Sequence, residues 1–316
     1  MIALPTKIAL PTKEDQPVKA MRIDTFGGTD TLHEVTVAQP EPGSGQVLLR
    51  VSAVGVNPID AKIRSGAMEA AFPTPLPAIL GIEVAGTVTA VGDGVTEFAV
   101  GDDVFGWADS GGYAEYATAT RVVAKPVGLS WDAAVALPVA GQTAERILAL
   151  LNVTSGETLL IHGAAGAVGT MAVQLAVARG ATVIGTASKA NHDYIAALGA
   201  VPTTYGDGLV ARVRELAPNG VDAVFDVAGK GALPDSIELR GGTDRIVTIA
   251  DPDAGRHGIP FSSGGGDVDL SDLAERVVAG TLEVTIAGTY PLADVATAHR
   301  VIEGGHARGK LVLTVG

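Results

Sequence analysis

The sequence predicts an α/β chain of two units: a barrel of short, mostly antiparallel strands, and a parallel sheet wound with helices. Three observations carry this. Residues 20–140 are short β-like runs separated by Gly-Asp and Asp-Gly turns. Residues 141–286 alternate strand-like and helical runs, the pattern of βαβ units. The closing run "GKLVLTV" alternates like the first unit and returns the chain to it. A length of 316 residues suits two domains, and a hydrophobic content of 47% is ample for two cores.

Taken in order, the elements begin with a tail at 1–19. The hexamer IALPTK occurs twice, at Ile2–Lys7 and Ile8–Lys13. Apolar runs this short, cut by Pro and Lys, are no signal peptide; a docking segment is the alternative to a dispensable tail. The runs "QVLLRVSAVGV", "EVAGTVTAVGDGV", "GDDVFGW" and "YAEYATATRVVAKP" then read as barrel strands. After them "TLLIHG", "TVIGTA", "TTYGD", "VDAVFDVAG" and "DRIVTIA" read as strands, with helices between. "LAVARGA" and "IAALGA" each end a helix on Gly. "LADVATAHRVIEGG" is one more amphipathic helix, before the last strand. The expected boundaries are 20–140 with 287–316 for the barrel and 141–286 for the parallel sheet.

Composition excludes several classes. Lys+Arg is 22 against 35 Asp+Glu, a net charge of -13, and no basic patch of the kind nucleic-acid binders carry is visible. With no cysteine, disulfides, thiolate nucleophiles and Cys-ligated zinc are absent, and the cytosol is the simplest location. Residues 158–178 lack formal charge over the length of a membrane span. They change from a β-rich run to a helical one at Gly166, which a single spanning helix does not do. The six histidines (33, 162, 192, 257, 299, 306) show no H-E-x-x-H pair. Gly304–Leu311 imitates a Walker A loop, but Leu311 replaces the Mg²⁺-holding Ser or Thr and a strand follows.

The chemistry-bearing motif is Ala164-Ala165-Gly166-Ala167-Val168-Gly169. It matches G-x-G-x-x-G with Ala first, and it joins a predicted strand to a predicted helix. Gly166 admits a pyrophosphate to the backbone, and Gly169 allows close helix–sheet packing. The helix N-terminus supplies free N–H groups and partial positive charge. A tight turn without ligand is the plain alternative. The next strand ends in Thr186-Ala187-Ser188-Lys189, without the acid that holds the ribose of NAD. A serine donor and a lysine cation fit a 2′-phosphate, hence NADPH, unless they only cap the next helix.

These pieces together resemble the quinone-oxidoreductase-like branch of the zinc-independent medium-chain dehydrogenases/reductases. The resemblance rests on "GVNPIDAKIRSG" (55–66), "ILGIEVAGTVTAVGDGV" (79–95), "GDDVFG" (101–106), "GGYAEYA" (111–117), "ALPVAGQTA" (136–144), "GAAGAVGTMAVQLA" (163–176) and "GKLVLTV". It implies a GroES-like barrel as catalytic domain, a Rossmann domain, a nicotinamide in the cleft between them, and a homodimer. It implies cofactor contacts at Thr143, Gly163, Ala164, Ala165, Gly166, Ala167, Val168, Ser188, Lys189, Tyr205, Val227, Ala228, Gly229, Ile249 and Ala250, with Thr143 near the carboxamide. It implies pocket roles for Asn57 and Asp60, which alone read equally well as formers of an Asn-Pro turn.

Zinc-dependent relatives carry Cys near position 57 and Gly-His-Glu where this chain has Gly81-Ile82-Glu83, so no catalytic metal is expected. Glu145 stands where relatives carry a bulky apolar residue, and the glycine-rich 259–271 says little of the substrate loop. His257, Lys62, Arg64, Trp107 and Tyr113 are each candidates for the cleft, or else ordinary surface and packing residues. The expected activity is NADPH-dependent hydride transfer to a quinone or an α,β-unsaturated carbonyl. Asn57 would orient the acceptor oxygen, and Asp60 would hold the network or relay a proton. The alternatives are a biosynthetic enoyl reductase on a polyketide or acyl thioester, and a non-catalytic NADPH-binding redox sensor or RNA-associated factor.

Overall fold

The computed structural model describes residues 17–264, 266 and 268–316. The repeated hexamers fall outside these residues, as do Gly265 and Asp267 of the glycine-rich loop. Strand β3 (Val47–Val56) is the centre of the barrel and is buried along most of its length. It pairs antiparallel with β5 (Glu83–Val91), β7 (Tyr116–Ala119) and β15 (Lys310–Thr314). β6 (Asp103–Trp107) and β8 (Val122–Ala124) extend the sheet beyond β5. β14 (Ile286–Pro291) lies outside β15 and runs parallel to it. A parallel pair needs a crossover, and helix α9 (Val295–Glu303) supplies it. Both ends of the chain thus build the barrel, as the closing alternation predicts.

A small sheet of β2 (His33–Ala38), β1 (Pro17–Ile23) and β4 (Ala78–Ile79) lies alongside. Pairing begins at Pro17↔Ala38, so the segment read as a tail overlaps β1 by three residues. Proline is tolerated at the first residue of a strand, Val18 points inward at 4% exposure, and Lys19 pairs with Glu34 at 3.2 Å.

The second unit is a five-stranded parallel sheet. Its order is β11 (Val201–Thr203), β10 (Thr182–Thr186), β9 (Thr158–His162), β12 (Ala223–Asp226), β13 (Ile246–Thr248). Helices α4 (Ala167–Ala178), α5 (His192–Ala197), α6 (Leu209–Leu216) and α7 (Leu233–Arg240) make the crossovers. Strand order reverses at β9, between β10 and β12, which is where open α/β sheets bind ligands. Side chains alternate along β9: Leu159 and Ile161 enter the core that continues into the barrel through Ala53, Ala85 and Val312, and Leu160 enters the core on the opposite face. Among the described residues of the 259–271 stretch a single bridge, Thr248↔Phe261, stands where a sixth strand would run. α8 (Leu270–Val278) follows it. Helix α2 (Trp131–Val135), a π-helical turn (Leu137–Gly141) and α3 (Gln142–Leu150) join the two units. Among the described residues no helix is long and apolar enough to cross a membrane.

Deletion through Lys19 should be worse than deletion through Gln16. Losing buried Val18 and its ladder costs about 2 kcal/mol, or ~4–8 °C in Tm. Equal melting temperatures for the two truncations would show that β1 does not need its first three residues.

Candidate cofactor and active site

The glycine loop joins β9 to α4. Gly166 caps the helix in extended conformation with no side-chain hydrogen bond, so the first-turn N–H groups are left for an anion. A Cβ on Gly169 would sit 2.2 Å from the Gly163 carbonyl oxygen; only glycine lets α4 approach the strand this closely. A Cβ on Gly166 would meet nothing nearer than 3.6 Å, so the space above it is open to a ligand. The Gly163 N–H donates to Thr186 Oγ1 at 3.2 Å and the Ala164 N–H to the Thr186 carbonyl at 3.0 Å, which fixes the loop to β10. His162 is buried beneath it against Ser236, 3.0 Å from Nε2 to Oγ, and burial lowers its pKa.

The other cofactor candidates gather on the same sheet edge. Val227, Ala228 and Gly229 follow β12, and the Ala228 and Gly229 N–H groups donate to Asp226 Oδ1 at 3.0 and 3.1 Å. Thr248 Oγ1 donates to the other Asp226 oxygen at 2.7 Å, which sets Ile249 and Ala250 beside them. A Cβ on Gly163 would lie 3.3 Å from that of Ala228, so these loops abut. Ser188 and exposed Lys189 follow β10. Tyr205, 60% exposed, follows the adjacent strand β11. Thr143 is half-buried in the first turn of α3.

On the barrel side, Asn57 ends β3 and caps α1 (Pro58–Arg64). Its Nδ2 donates to Glu83 Oε1 at 2.8 Å, and its Oδ1 accepts from Lys310 Nζ at 2.6 Å. Lys310 and Glu83 form an ion pair, with exposures of 2% and 0%. The second Glu83 oxygen accepts the Val139 N–H at 2.9 Å, from the π-helical turn between the units. A Cβ on Gly55 would lie 2.1 Å from Glu83 Oε1 and 2.7 Å from Lys310 Cε, so glycine there makes room for the pair. Sequence reasoning singled out neither Glu83 nor Lys310 as a functional residue. The available signal was a lone charge at an inward position of an otherwise apolar strand, in "GIEVAG" and in "GKLVLTV".

Asp60 is placed differently. It is wholly buried; one oxygen accepts the Asn57 backbone N–H at 2.8 Å and the other, Oδ1, has no partner among the described residues. It acts on Asn57 by fixing its backbone, as a positioning residue. Burial pushes its pKa up to about 7, and the charge of Glu83 adds to the rise. The carboxyl also raises the buried Tyr113 phenol, although burial is the larger cause there. Tyr113 Oη and His299 Nε2 are 2.9 Å apart. Burial and the charge of Arg64 push His299 down to about 4. Arg64, itself buried, pairs with Glu303. Glu145 pairs with Arg179 at the end of α4, which gives it a place between two helices. Trp107 lies under the Arg121 guanidinium at 4.4 Å. Among the described residues no three His, Cys, Asp or Glu side chains gather as metal ligands.

The Asp60 carboxyl makes stability pH-dependent. Its folded pKa of about 7 exceeds the unfolded value of roughly 4. The unfolded chain therefore loses this proton first, and the contribution falls as pH rises from about 4 to 7. The difference is on the order of 4 kcal/mol. In Asp60→Asn, which keeps the acceptor for Asn57, Tm relative to the parent should climb across that window. A pH-independent difference would place the titration elsewhere.

Comparison with known proteins identifies the family. The family description "Alcohol dehydrogenase GroES-like domain" matches residues 43–128, and "Zinc-binding dehydrogenase" matches 198–313. The quinone oxidoreductase of Sus scrofa is 32% identical, covering 94% of this chain and 97% of that protein. The NADPH-dependent alkenal/one oxidoreductase, chloroplastic, of Arabidopsis thaliana is also 32% identical, covering 94% and 79%. The solved quinone oxidoreductase of Coxiella burnetii superposes with a TM-score of 0.84 at 34% identity, over 95% of this chain and 100% of that one. A barrel closed by both chain ends, a glycine loop at the reversal point of a parallel sheet, and relatives aligned over nearly the whole length together mean that the chain belongs to the quinone-oxidoreductase-like family of medium-chain dehydrogenases/reductases and is an oxidoreductase that binds a nicotinamide dinucleotide.

Proposed function

We propose that this chain reduces quinones or α,β-unsaturated carbonyls with NADPH. One observation carries the reading. The Gly309 N–H donates to the Ala165 carbonyl of the glycine loop at 3.1 Å, and the next residue, Lys310, reaches Asn57. A dinucleotide seated on the loop would have the Asn57 network beside it. The relatives named for quinones and for alkenals support conjugated acceptors and favour catalysis over a sensor. An enoyl thioester is a conjugated acceptor of the same kind and belongs in the substrate panel. Cytosolic location and a homodimer are part of this reading.

When bound, the nicotinamide supplies the hydride. Thr143 would hold its carboxamide, and the first turn of α4 its pyrophosphate. Asn57 would orient the acceptor oxygen, with its amide set by Glu83 and Lys310. Lys310, paired with Glu83, would hold the Asn57 side-chain oxygen so that the amide is oriented before the reaction. Asp60 keeps Asn57 in register. Ser188, Lys189 and Tyr205 would hold the 2′-phosphate. With Ile82 in place of a histidine and no cysteine in the chain, the ligand set of the zinc-dependent relatives is missing, so activation falls to these hydrogen bonds.

Turnover of NADPH with a quinone, enone and enoyl-thioester panel tests the activity. Asn57→Ala should lower kcat by ~10- to 100-fold, about 1.4–2.7 kcal/mol of barrier, while Kd for NADPH stays within about three-fold. Full kcat with every accepted substrate would reduce Asn57 to a helix cap.

Cofactor choice is a separate test. NADPH should be preferred to NADH by ~100-fold in kcat/KM, or ~2.7 kcal/mol, no more than two charge-assisted hydrogen bonds at ~1.5–3 kcal/mol each can supply. Lys189→Ala should remove most of that preference. Equal use of the two cofactors by the parent would sink the assignment.

A further inference from the structure

Residues 308–310 are consecutive, and each touches a different part of the dinucleotide-facing edge. Lys310 reaches Asn57 and Glu83. Gly309 bridges to Gly166 in the glycine loop. Arg308 crosses to the turn after β10, which spans Lys189–Asn191. Its Nε and Nη2 both donate to Asn191 Oδ1, at 3.0 and 2.8 Å, and Nη2 also donates to the Ala190 carbonyl at 3.3 Å. Its guanidinium lies over the Tyr194 ring, 4.9 Å from the centroid. Tyr194 is anchored in turn, its Oη donating to Thr285 Oγ1 at 2.7 Å.

We infer that Arg308, a residue of the barrel's last strand connection, is the positioning residue that sets NADPH over NADH by holding the Ser188–Asn191 turn ready for the 2′-phosphate. This rests on the NADPH reading above. The turn is short and closed by a backbone bond, Asn191 N–H to the Ser188 carbonyl at 2.8 Å; Lys189 is exposed and no side chain caps the turn, so contacts from outside add to what holds it. Arg308 supplies them at Ala190 and Asn191, immediately after Lys189. A planar fork that meets one oxygen twice and stacks on a ring is a guanidinium property that lysine does not share. Ordering the turn in advance lowers the entropic cost of closing Lys189 on a phosphate. NADH makes no use of this, because it lacks the phosphate.

The test is the ratio of Kd for NADH to Kd for NADPH, measured by fluorescence titration of the full chain. Arg308→Ala and Asn191→Ala should each lower the ratio about ten-fold. The double variant should be no worse than either, since the two residues act through one contact. Arg308→Lys should fall with Arg308→Ala. Arg308 is exposed, so these variants are expected to fold, and circular dichroism checks this. Equal weakening of both cofactors would make Arg308 a plain staple between domains, and full discrimination in Arg308→Lys would make its effect one of charge; either overturns the inference. If the parent prefers NADPH and Lys189→Ala loses the preference but Arg308→Ala keeps it, this inference alone fails. If the parent shows no preference, the NADPH reading fails with it.

Discussion

The buried ion pair of Glu83 and Lys310 is the constraint on which the rest of the site depends. It joins β5 to β15, hence the first third of the chain to its last strand. Two buried charges are tolerated only when their remaining hydrogen-bonding capacity is met. Here Asn57 bonds to both members, and the Val139 N–H takes the second carboxylate oxygen. Removing one member of such a pair typically costs 3–5 kcal/mol, because the other is left charged and dry. The pair therefore dictates a glycine at 55, an amide at 57 and a backbone donor from the junction. Those are demands on two separate segments, the end of β3 and the junction.

This arrangement explains why polar residues cluster on a barrel that is otherwise apolar inside. Asn57 sits at the end of the central strand and at the start of a helix, two rigid elements, so its amide has little freedom to swing. Asp60 reinforces it from the next turn through the backbone N–H. Tyr113, His299 and Arg64 continue the polar contacts toward α9 and Glu303. Along that line burial works against ionisation, favouring the protonated Asp60 and the neutral His299. The buried cations beside them are each matched by an ion-pair partner, Arg64 by Glu303 and Lys310 by Glu83.

How much of this was legible in the sequence depends on how local each feature is. The glycine loop, the βαβ alternation and the return of the last strand are patterns in consecutive residues, and the fold follows from them. Gly169 could be assigned to helix packing because its contact with Gly163 lies six positions away. Glu83 and Lys310 could not, because 227 positions separate them and only barrel closure brings them together. Asn57 and Asp60 share one motif, yet one faces the ion pair and the other the barrel interior; the direction of a side chain is set by the helix that the motif begins. The first three residues of β1 come just after the repeated hexamers that mark 1–19 as a tail, and only the inward Val18 argues otherwise. The alternation also gave no warning that the described residues of the 259–271 stretch form one bridge where a sixth strand would run.

An acidic chain that binds a polyanionic dinucleotide must concentrate positive charge locally. At a net charge of -13 the long-range field opposes the ligand. The backbone dipoles at the start of α4 supply part of the answer. Side chains supply the rest in two ways. Lys310 is matched by Glu83, so its charge is largely balanced within the barrel. Among the described residues neither Lys189 nor Arg308 takes part in an ion pair. Arg308 donates from Nε and Nη2 to an amide and a carbonyl oxygen, contacts that set no anion against its charge. Because screening confines surface charges to within about 10 Å, two such cations at one sheet edge can outweigh a distant acidic surface. Lys189 is the cation offered to the phosphate, and the neutral acceptors around Arg308 let it hold the turn without setting a carboxylate beside that lysine.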